Sequence, residues 1–298
     1  MISLSTLAEL AEAFRSEVDL PVAPLQVGDR TFDLDARPAL MGCVNLSHDS
    51  TYRDSIAPST AAAVRRGRVL VAQGADFVDL GAESSTLRAA RVGSDQQIAA
   101  LVPVIEQLSA DGVLVSAETY RPDVVAACLE AGATMVNFTG RAGEDEVFEL
   151  AARHRAAVVL CHVRGDDVRE VTDVDLAADP LPAMLDYFAA RIERARSHGV
   201  DRLLIDPGMG FFYGNLTDAM TRARHQTKVL LNTFRLRRLG VPVCHALPHS
   251  LDIFEEAFRT AEGFYAVLAH LGGAGVFRTH EVVQLRGVLQ ALTMLDPR

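Results

Sequence analysis

The chain has 298 residues and a formal net charge of −10, which argues against nucleic-acid binding, because nucleic-acid phosphates demand basic patches. Hydrophobic residues make up 49% of the chain, which is ample for a large core and excludes a disordered protein. No apolar stretch reaches the roughly 20 residues that a helix needs to cross a membrane. The first 21 residues lack the basic region of a signal peptide and predict an amphipathic helix instead.

The further predicted elements follow in chain order. Residues 25–34 predict a β-hairpin that turns at Gly28 and Asp29. Eight short apolar runs come next, each of the length of one buried strand. Helical periodicity follows several of them and closes with Gly74, Gly132, Gly199 or Gly240. The runs cover residues 39–45, 76–81, 113–119, 134–138, 156–162, 202–208, 241–246 and 274–280.

Eight β-α units over about 260 residues match the number and size of a TIM barrel. We therefore predict an α/β fold, a (β/α)8 TIM barrel that occupies residues 38–298. Residues 1–37 form its N-terminal helix and hairpin extension, and the hairpin is expected to cover the bottom of the barrel. An open doubly wound sheet is the alternative, but no G-x-G-x-x-G pattern follows the first strand.

The four cysteines indicate the cellular compartment of the protein rather than a role in catalysis. Cys43, Cys161 and Cys244 lie in apolar runs, and Cys128 lies in a helical stretch without a C-x-x-C spacing. Such a pattern is typical of buried thiols in a reducing environment, so we expect a cytoplasmic protein.

Polar residues end most of the predicted strands. In a TIM barrel these strand ends share one rim, where active sites lie. Carboxylates and an amide suit a flat heterocycle with an amino-pyrimidinone edge, since a carboxylate accepts two parallel N–H donors. An arginine and a histidine suit an anionic tail such as a phosphate. The residues at these ends are Asn45, Asp79, Glu83, Glu118, Asn137, His162, Asp206, His245, His249, Ser250, Arg278 and His280.

Six segments make the sequence resemble the dihydropteroate synthase family, part of a wider pterin-binding TIM-barrel group. The likeness runs from about residue 38 to residue 292 and keeps the order of the family's motifs. The resemblance implies a transferase that binds a pterin or folate-like substrate and forms a homodimer. The segments are MGCVNLSHDS, VDLGAESS, VSAETYRPDVVAACLEAGATMVN, VVLCHVRG, LIDPGMGF and VFRTHEV.

In that family, p-aminobenzoate attacks the methylene group of a dihydropterin diphosphate, and diphosphate leaves. The resemblance implies that Glu118, Asn137 and Asp206 bind the pterin, with Asp79 beside them. Glu118 stands where the family has aspartate, which keeps the charge but extends the side chain by one methylene group.

The resemblance also implies sites for the diphosphate and the second substrate. Asn45, Arg278 and His280 are expected to face the diphosphate, with Asn45 as a contact of Mg²⁺. The loop after the second barrel strand, which takes the second substrate, contains Ser85, Thr86 and Arg88.

The seventh strand leads into the largest departure from the family. Where the family reads G-x-S-R-K-S, this sequence reads ALPHSL over residues 246–251. Without a gap, His249 replaces the arginine and Ser250 the lysine, whereas a one-residue gap makes His249 replace the lysine. The chain's single lysine, Lys228, lies in a predicted helix and does not compensate. The catalytic candidates are therefore His249, Ser250 and Glu118, and the substrate or acceptor is expected to be altered.

Two other interpretations stay open at this point. The altered loops are consistent with a non-catalytic pterin-binding or folate-binding homologue that has a regulatory role. A metal-dependent barrel enzyme is the second alternative, because histidine and carboxylate side chains gather at the predicted rim. Its candidate ligands are His162, His245, His249 and His280, together with Asp206.

Overall fold

The structure is a computed structural model that describes residues 2–47, 49, 56–86, 89–170, 172–174, 176 and 178–295. Each predicted apolar run contains one of the strands β3 to β10. The strands are β1 (Leu25–Val27), β2 (Arg30–Phe32), β3 (Ala39–Asn45), β4 (Phe77–Gly81), β5 (Val115–Thr119), β6 (Met135–Phe138), β7 (Ala157–Cys161), β8 (Leu203–Asp206), β9 (Cys244–Ala246) and β10 (Val276–Thr279).

Helices separate successive strands of the sheet and surround it. Short 3₁₀ helices cover Thr233–Leu239 and Glu255–Ala257. The α-helices are α1 (Leu4–Ala13), α2 (Thr60–Gln73), α3 (Ser94–Ala110), α4 (Pro122–Glu130), α5 (Glu144–His154), α6 (Leu181–Ser197), α7 (Ala219–Leu231), α8 (Leu251–Phe254), α9 (Arg259–Leu271) and α10 (Val282–Met294).

Strands β3 to β10 are parallel and form the predicted TIM barrel. From β3 to β8 the neighbours follow the chain order, and β10 lies between β3 and β9. The ring closes between β8 and β9, because Ile205 pairs with Val243 and donates its backbone N–H to the Pro242 oxygen at 3.1 Å. This closure excludes the open doubly wound sheet and places all eight carboxyl ends on one rim.

The hairpin of β1 and β2 packs against the amino end of the barrel. Leu25 and Val27 are buried in the same apolar cluster as Met41, which points into the barrel interior. A side chain at Gly28 would contact Leu114, which directly precedes β5. The hairpin therefore covers the end opposite to the rim and leaves the carboxyl ends of the strands open.

Several smaller sequence predictions are confirmed. The glycines predicted to end helices have positive φ angles, which residues with a Cβ atom rarely adopt: Gly74, Gly132, Gly199 and Gly240. All four cysteines are buried and free. None of the helices in the described part of the chain has the length and apolarity needed to cross a bilayer.

The homodimer stays a prediction. Helices α9 and α10 expose apolar side chains, among them Phe264, Leu271 and Val283. Exposed apolar residues are common on monomers too, so these three do not decide the oligomeric state.

A buried arginine joins the ends of two barrel strands. Arg191 on α6 donates to the Gly140 and Cys161 carbonyl oxygens at 2.9 and 2.7 Å. Its Nε donates to Glu144 Oε2 at 3.0 Å, and both side chains are at least 95% buried. One guanidinium group therefore satisfies a buried carboxylate and two carbonyl oxygens just beyond β6 and at the end of β7.

We predict that Arg191→Ala lowers the free energy of unfolding by about 3–5 kcal/mol, because it leaves the buried Glu144 carboxylate without this partner. Urea denaturation followed by circular dichroism measures the change. Arg194→Ala is the matched control on the same helix: its half-exposed side chain also contacts Glu144, and we expect a loss of about 0–1 kcal/mol. Equal losses in the two variants would contradict this account of Arg191.

Candidate functional site

A cavity of about 310 Å³ opens at the carboxyl rim of the barrel. Its walls come from the loops after β4, β8, β9 and β10, together with the ends of β3, β5 and β10. Apolar and aromatic side chains of the loop after β8 form one side, including Phe211 and Phe212. Eight residues predicted for the site line the cavity: Asn45, Ser85, Thr86, Glu118, His249, Ser250, Arg278 and His280.

Arg278 holds two carboxylates from different strands. Its Nε donates to Asp79 Oδ2 at 2.7 Å, and its Nη2 donates to Glu118 Oε2. The side chains of Arg278 and Glu118 are 15% and 13% exposed, whereas that of Asp79 is fully buried. Burial raises the pKa of Glu118, and the adjacent Arg278 charge counteracts this rise. Arg278, which was predicted to face an anionic tail, therefore also contacts Asp79 and Glu118, two residues predicted to bind the pterin.

Asn137 and Cys161 extend this ion pair into a buried hydrogen-bond network. Asn137 Nδ2 donates to Asp79 Oδ2 at 3.2 Å, and Asn137 Oδ1 accepts the Cys161 thiol. Glu118 and Asn137 are register partners on β5 and β6, which explains why they are adjacent. Asp79 Oδ1 is buried and has no hydrogen-bond partner among the described residues. A ligand N–H group would satisfy that oxygen.

Asp206 is buried at the end of β8 and, like the buried Asp79 and Asn137, is not among the residues that line the cavity. Its Oδ1 accepts the Gly208 N–H at 2.8 Å, and its Oδ2 accepts the Ala246 N–H at 3.2 Å. Burial raises the pKa of Asp206 to about 6, although these two hydrogen bonds counteract the rise. Gly208 has a φ of +79°, and a Cβ atom there would lie 2.8 Å from the His162 carbonyl oxygen, so the turn requires glycine.

The loop after β4 contains the residues predicted to take the second substrate. Ser85 and Thr86 line the cavity, and the Thr86 N–H donates to Ser84 Oγ at 3.2 Å. Arg88 lies outside the described residues. A different arginine supports this loop: Arg169, from the loop after β7, donates to the Ser84 and Ala89 carbonyl oxygens. Sequence reasoning did not identify Arg169.

The loop after β9 brings His249 and Ser250 to the cavity. Ser250 has a φ of +44°, and its hydroxyl lies 2.5 Å from the Tyr265 hydroxyl. His249 Nε2 lies 3.3 Å from Glu262 Oε1, and His280 Nδ1 lies 3.1 Å from the same oxygen. Burial by itself would raise the pKa of Glu262, but the two histidines outweigh it and hold that pKa well below its usual range.

Glu262 was missed from the sequence. It lies on α9, and its neighbours on the buried face of that helix are Ala261, Tyr265, Ala266 and Ala269. An acidic residue at helical spacing within an apolar face is the signal that would have found it, because a buried carboxylate needs partners.

The other predicted histidines lie away from the cavity lining. His245 is fully buried, with its Nε2 2.8 Å from Thr233 Oγ1, and burial lowers its pKa to about 3. His162 packs against Tyr187, and burial, aided by nearby arginines, lowers its pKa to about 4. Both are therefore neutral imidazoles at physiological pH.

The structure does not bring together the full set of metal-ligand candidates that was named from the sequence. Within the described ranges, the one group of three potential ligands is His249, Glu262 and His280. Asp206 is not part of it, because its two oxygens face backbone N–H groups on β8 and β9. Of the predicted candidates, His249 and His280 come together, and Glu262 rather than Asp206 is the carboxylate beside them.

Asn45 ends β3 at the cavity wall. Its backbone carbonyl oxygen accepts the Ala57 N–H at 2.8 Å, which orders the strand end. The Asn45 amide oxygen is the type of neutral oxygen ligand that Mg²⁺ accepts when substrate phosphates and waters supply the remaining ligands.

Comparison with known proteins agrees with this fold. The family described as pterin-binding enzymes matches residues 41–280. Over 273 residues the chain is 30% identical to a dihydropteroate synthase of Synechocystis sp., covering 87% of this chain and 90% of that protein. Over 271 residues it is 32% identical to a type-2 dihydropteroate synthase of Escherichia coli, covering 86% and 95%.

A solved structure of a dihydropteroate synthase also matches this chain. Dihydropteroate synthase of Xanthomonas albilineans with 4-aminobenzoic acid matches with a TM-score of 0.76 at 30% identity, over 92% of this chain and 98% of that one. The chain belongs to the pterin-binding enzyme family, whose relatives named here are dihydropteroate synthases.

Proposed function

We propose that this protein is a dihydropteroate synthase-like transferase that binds a pterin or folate-like substrate and uses an altered substrate or acceptor. The observation that carries the proposal is the buried set of acceptors below Arg278. Asp79, Glu118 and Asp206 bring three carboxyl groups to one floor, and Arg278 is hydrogen-bonded to two of them. A ring with several N–H donors would satisfy this excess of acceptors.

The amino-pyrimidinone edge of a pterin offers such donors. Asp206 would accept from the ring, since each of its oxygens has one hydrogen bond from the protein and a second lone pair. Asn137 would contribute an amide, and Asp79 Oδ1 would gain the partner that it lacks among the described residues. Relatives support this assignment, because the Xanthomonas albilineans enzyme has been solved in complex with 7,8-dihydropteroate.

The charged rim would act on the leaving group. In the proposed reaction a nucleophile attacks the methylene carbon next to the ring, and the bond from that carbon to the diphosphate oxygen breaks. Arg278 and His280 would stabilise the developing negative charge on the diphosphate. Asn45 would add an amide oxygen to a Mg²⁺ ion bound with the diphosphate. His249, Ser250 and Glu118 are the candidates for proton transfer from the nucleophile.

The loop after β9 is the reason to propose an altered substrate or acceptor. His249 lies against Glu262 and Ser250 against Tyr265, so neither places a fixed positive charge in the cavity. The loop after β4 also departs from the family pattern at Ser85 and Thr86. Ordinary dihydropteroate synthesis is therefore not the activity that we favour.

A non-catalytic binding protein is the second candidate. The observation that favours it is Arg278, which contacts Asp79 and Glu118 rather than standing alone at the rim. In such a protein the arginine would order the pocket and would not act on a leaving group.

Calorimetry with two substrate classes tests the proposal. We predict that the protein binds a dihydropterin diphosphate or a tetrahydrofolate, because either ring presents donors to the acidic floor. Asp206→Asn is expected to weaken binding by about 10- to 150-fold, the equivalent of a charged hydrogen bond worth about 1.5–3 kcal/mol. The exposed Asp201→Asn, just before β8, is the control and should bind normally. If neither the dihydropterin diphosphate nor the tetrahydrofolate binds, the proposal is contradicted.

The same binding is predicted to depend on pH. The Asp206 carboxyl accepts ring N–H groups when it is ionised, and its raised pKa of about 6 means that protonation begins near neutral pH. Affinity should therefore stay constant above pH 7 and fall by up to about tenfold per pH unit below 6. Affinity that is unchanged between pH 7.5 and pH 5 would show that Asp206 is not the acceptor.

Arg278 distinguishes the enzyme from the binding protein. If the transferase proposal is right, Arg278→Ala abolishes turnover of the dihydropterin diphosphate, because the leaving group loses its cation. Release of diphosphate measures turnover, and thermal melting checks that the variant is folded. Arg224→Ala, exposed on α7, is the control. Turnover in the parent that survives Arg278→Ala would contradict the assigned role, and no turnover in the parent would favour the binding protein.

Restoring the family's basic pair is predicted to be insufficient. The double substitution His249→Arg with Ser250→Lys should not restore dihydropteroate synthesis, because the loop after β4 also differs from the family. Ser250 also has a positive φ, which disfavours a lysine there. Complementation of a strain that lacks dihydropteroate synthase measures the outcome. Growth supported by the double variant would show that the loop after β4 matters less than we propose.

A further inference from the structure

Glu262 is an acid that the fold buries completely and orients from one side. The side chain has 0% exposure. One oxygen, Oε2, accepts the Thr279 hydroxyl and the His280 backbone N–H at 3.1 Å. The other oxygen, Oε1, also accepts the His280 backbone N–H at 3.3 Å and is directed at two imidazole rings. Such outer hydrogen bonds are the arrangement that orients a carboxylate that ligates a metal.

The two imidazole nitrogens lie at comparable distances from Glu262 Oε1. His280 Nδ1 is 3.1 Å away and His249 Nε2 is 3.3 Å away. Two ligands bound to zinc at about 2.0–2.1 Å in a tetrahedron lie about 3.4 Å from each other. One donor atom from each of the three residues lies within 4.8 Å of the others. The spacing therefore matches a mononuclear centre without rearrangement of the backbone.

The surroundings of Glu262 also favour a cation. Among the described residues, the basic side chains within 4.0 Å of this carboxylate are these two histidines. A buried carboxylate is costly unless a positive charge or several hydrogen bonds compensate it.

We propose that His249, Glu262 and His280 bind one divalent transition-metal ion of the zinc type at the wall of the cavity. Two imidazoles and one carboxylate favour zinc, cobalt or iron over Mg²⁺, which prefers oxygen ligands. Three protein ligands leave at least one coordination position for water or an oxygen of an anionic ligand, as in catalytic zinc sites. His249 and His280 line the cavity, so a small ion reaches the site from solvent.

This site is separate from the proposed pterin floor. Asp206, Asn137 and Asp79 are not among its ligands, and metal binding requires no pterin or diphosphate. With a metal bound, His249 serves as a ligand, and Ser250 and Glu118 remain the candidates for proton transfer. Failure of metal binding would therefore leave the pterin assignment untouched, and failure of pterin binding would leave the metal site untouched.

The test is a Co²⁺ titration of the full chain after treatment with a chelator, without pterin or diphosphate. We expect one Co²⁺ per chain with a visible absorption band. Zn²⁺ should displace the Co²⁺, and a large excess of Mg²⁺ should not. Absence of stoichiometric binding, or displacement by Mg²⁺, overturns the proposal.

Variants locate the bound ion. His249→Gln and Glu262→Gln should each weaken Co²⁺ binding more than about 10- to 100-fold, which is the loss that outer hydrogen-bond partners alone cause. His249 is partly exposed, so His249→Gln is informative even if Glu262→Gln does not fold. His270→Gln on the same helix as Glu262 is the matched control and should bind normally. Binding that survives His249→Gln unchanged places the ion elsewhere and refutes the site.

Discussion

The pocket depends on the contact of Arg278 with two carboxylates. Asp79 lies in the middle of β4, Glu118 near the end of β5 and Asp206 at the end of β8. Their side chains meet in a buried space with little water. Ionised carboxylates in such a space repel one another and lose solvation. Arg278 comes from β10, donates to two of them and keeps the three groups in one site. Arg278 thus stabilises these neighbouring carboxyl groups. Some of their oxygens remain able to accept hydrogen bonds from a ligand.

The loop after β9 also affects the electrostatics of the site, because it lacks the basic residues of the family pattern. The resemblance to the family implies an arginine and a lysine after the seventh barrel strand, whereas this chain has His249 and Ser250. Their partners here are Glu262 and Tyr265, both on α9. His249 and Ser250 line the cavity, and each is also held against α9. Among the described residues, the arginines that line the cavity are Arg278 and Arg222, and Arg222 is paired with Asp252.

The fold and most of the rim followed from the sequence because their patterns are local. Continuous apolar runs marked each strand, and a polar residue such as Asn45 or Asp206 marked where it ended. The side-chain contacts between strands were less accessible: nothing in the spacing indicated that Arg278 would contact Glu118. His245 shows the limit of reading a strand, since its direction depends on the alternation of faces, and it points to Thr233 instead of the rim. Glu262 was not predicted because it lies on a helix, whereas the site residues were expected at the ends of strands.

The arginine that joins β6 and β7 has a consequence for how such a barrel evolves. Arg191 ties Gly140 and Cys161 together through carbonyl oxygens, so that half of the rim resists widening. In the half formed by the loops after β9 and β10, the described residues include no arginine that joins the carbonyl oxygens of neighbouring strand ends. Its contacts are the Leu247 N–H bond to the Arg278 carbonyl oxygen, the Arg222–Asp252 ion pair and side-chain contacts with α9. Changes in substrate range are therefore expected to accumulate on the compliant half, while the clamped half preserves the ring-binding floor through successive changes of chemistry.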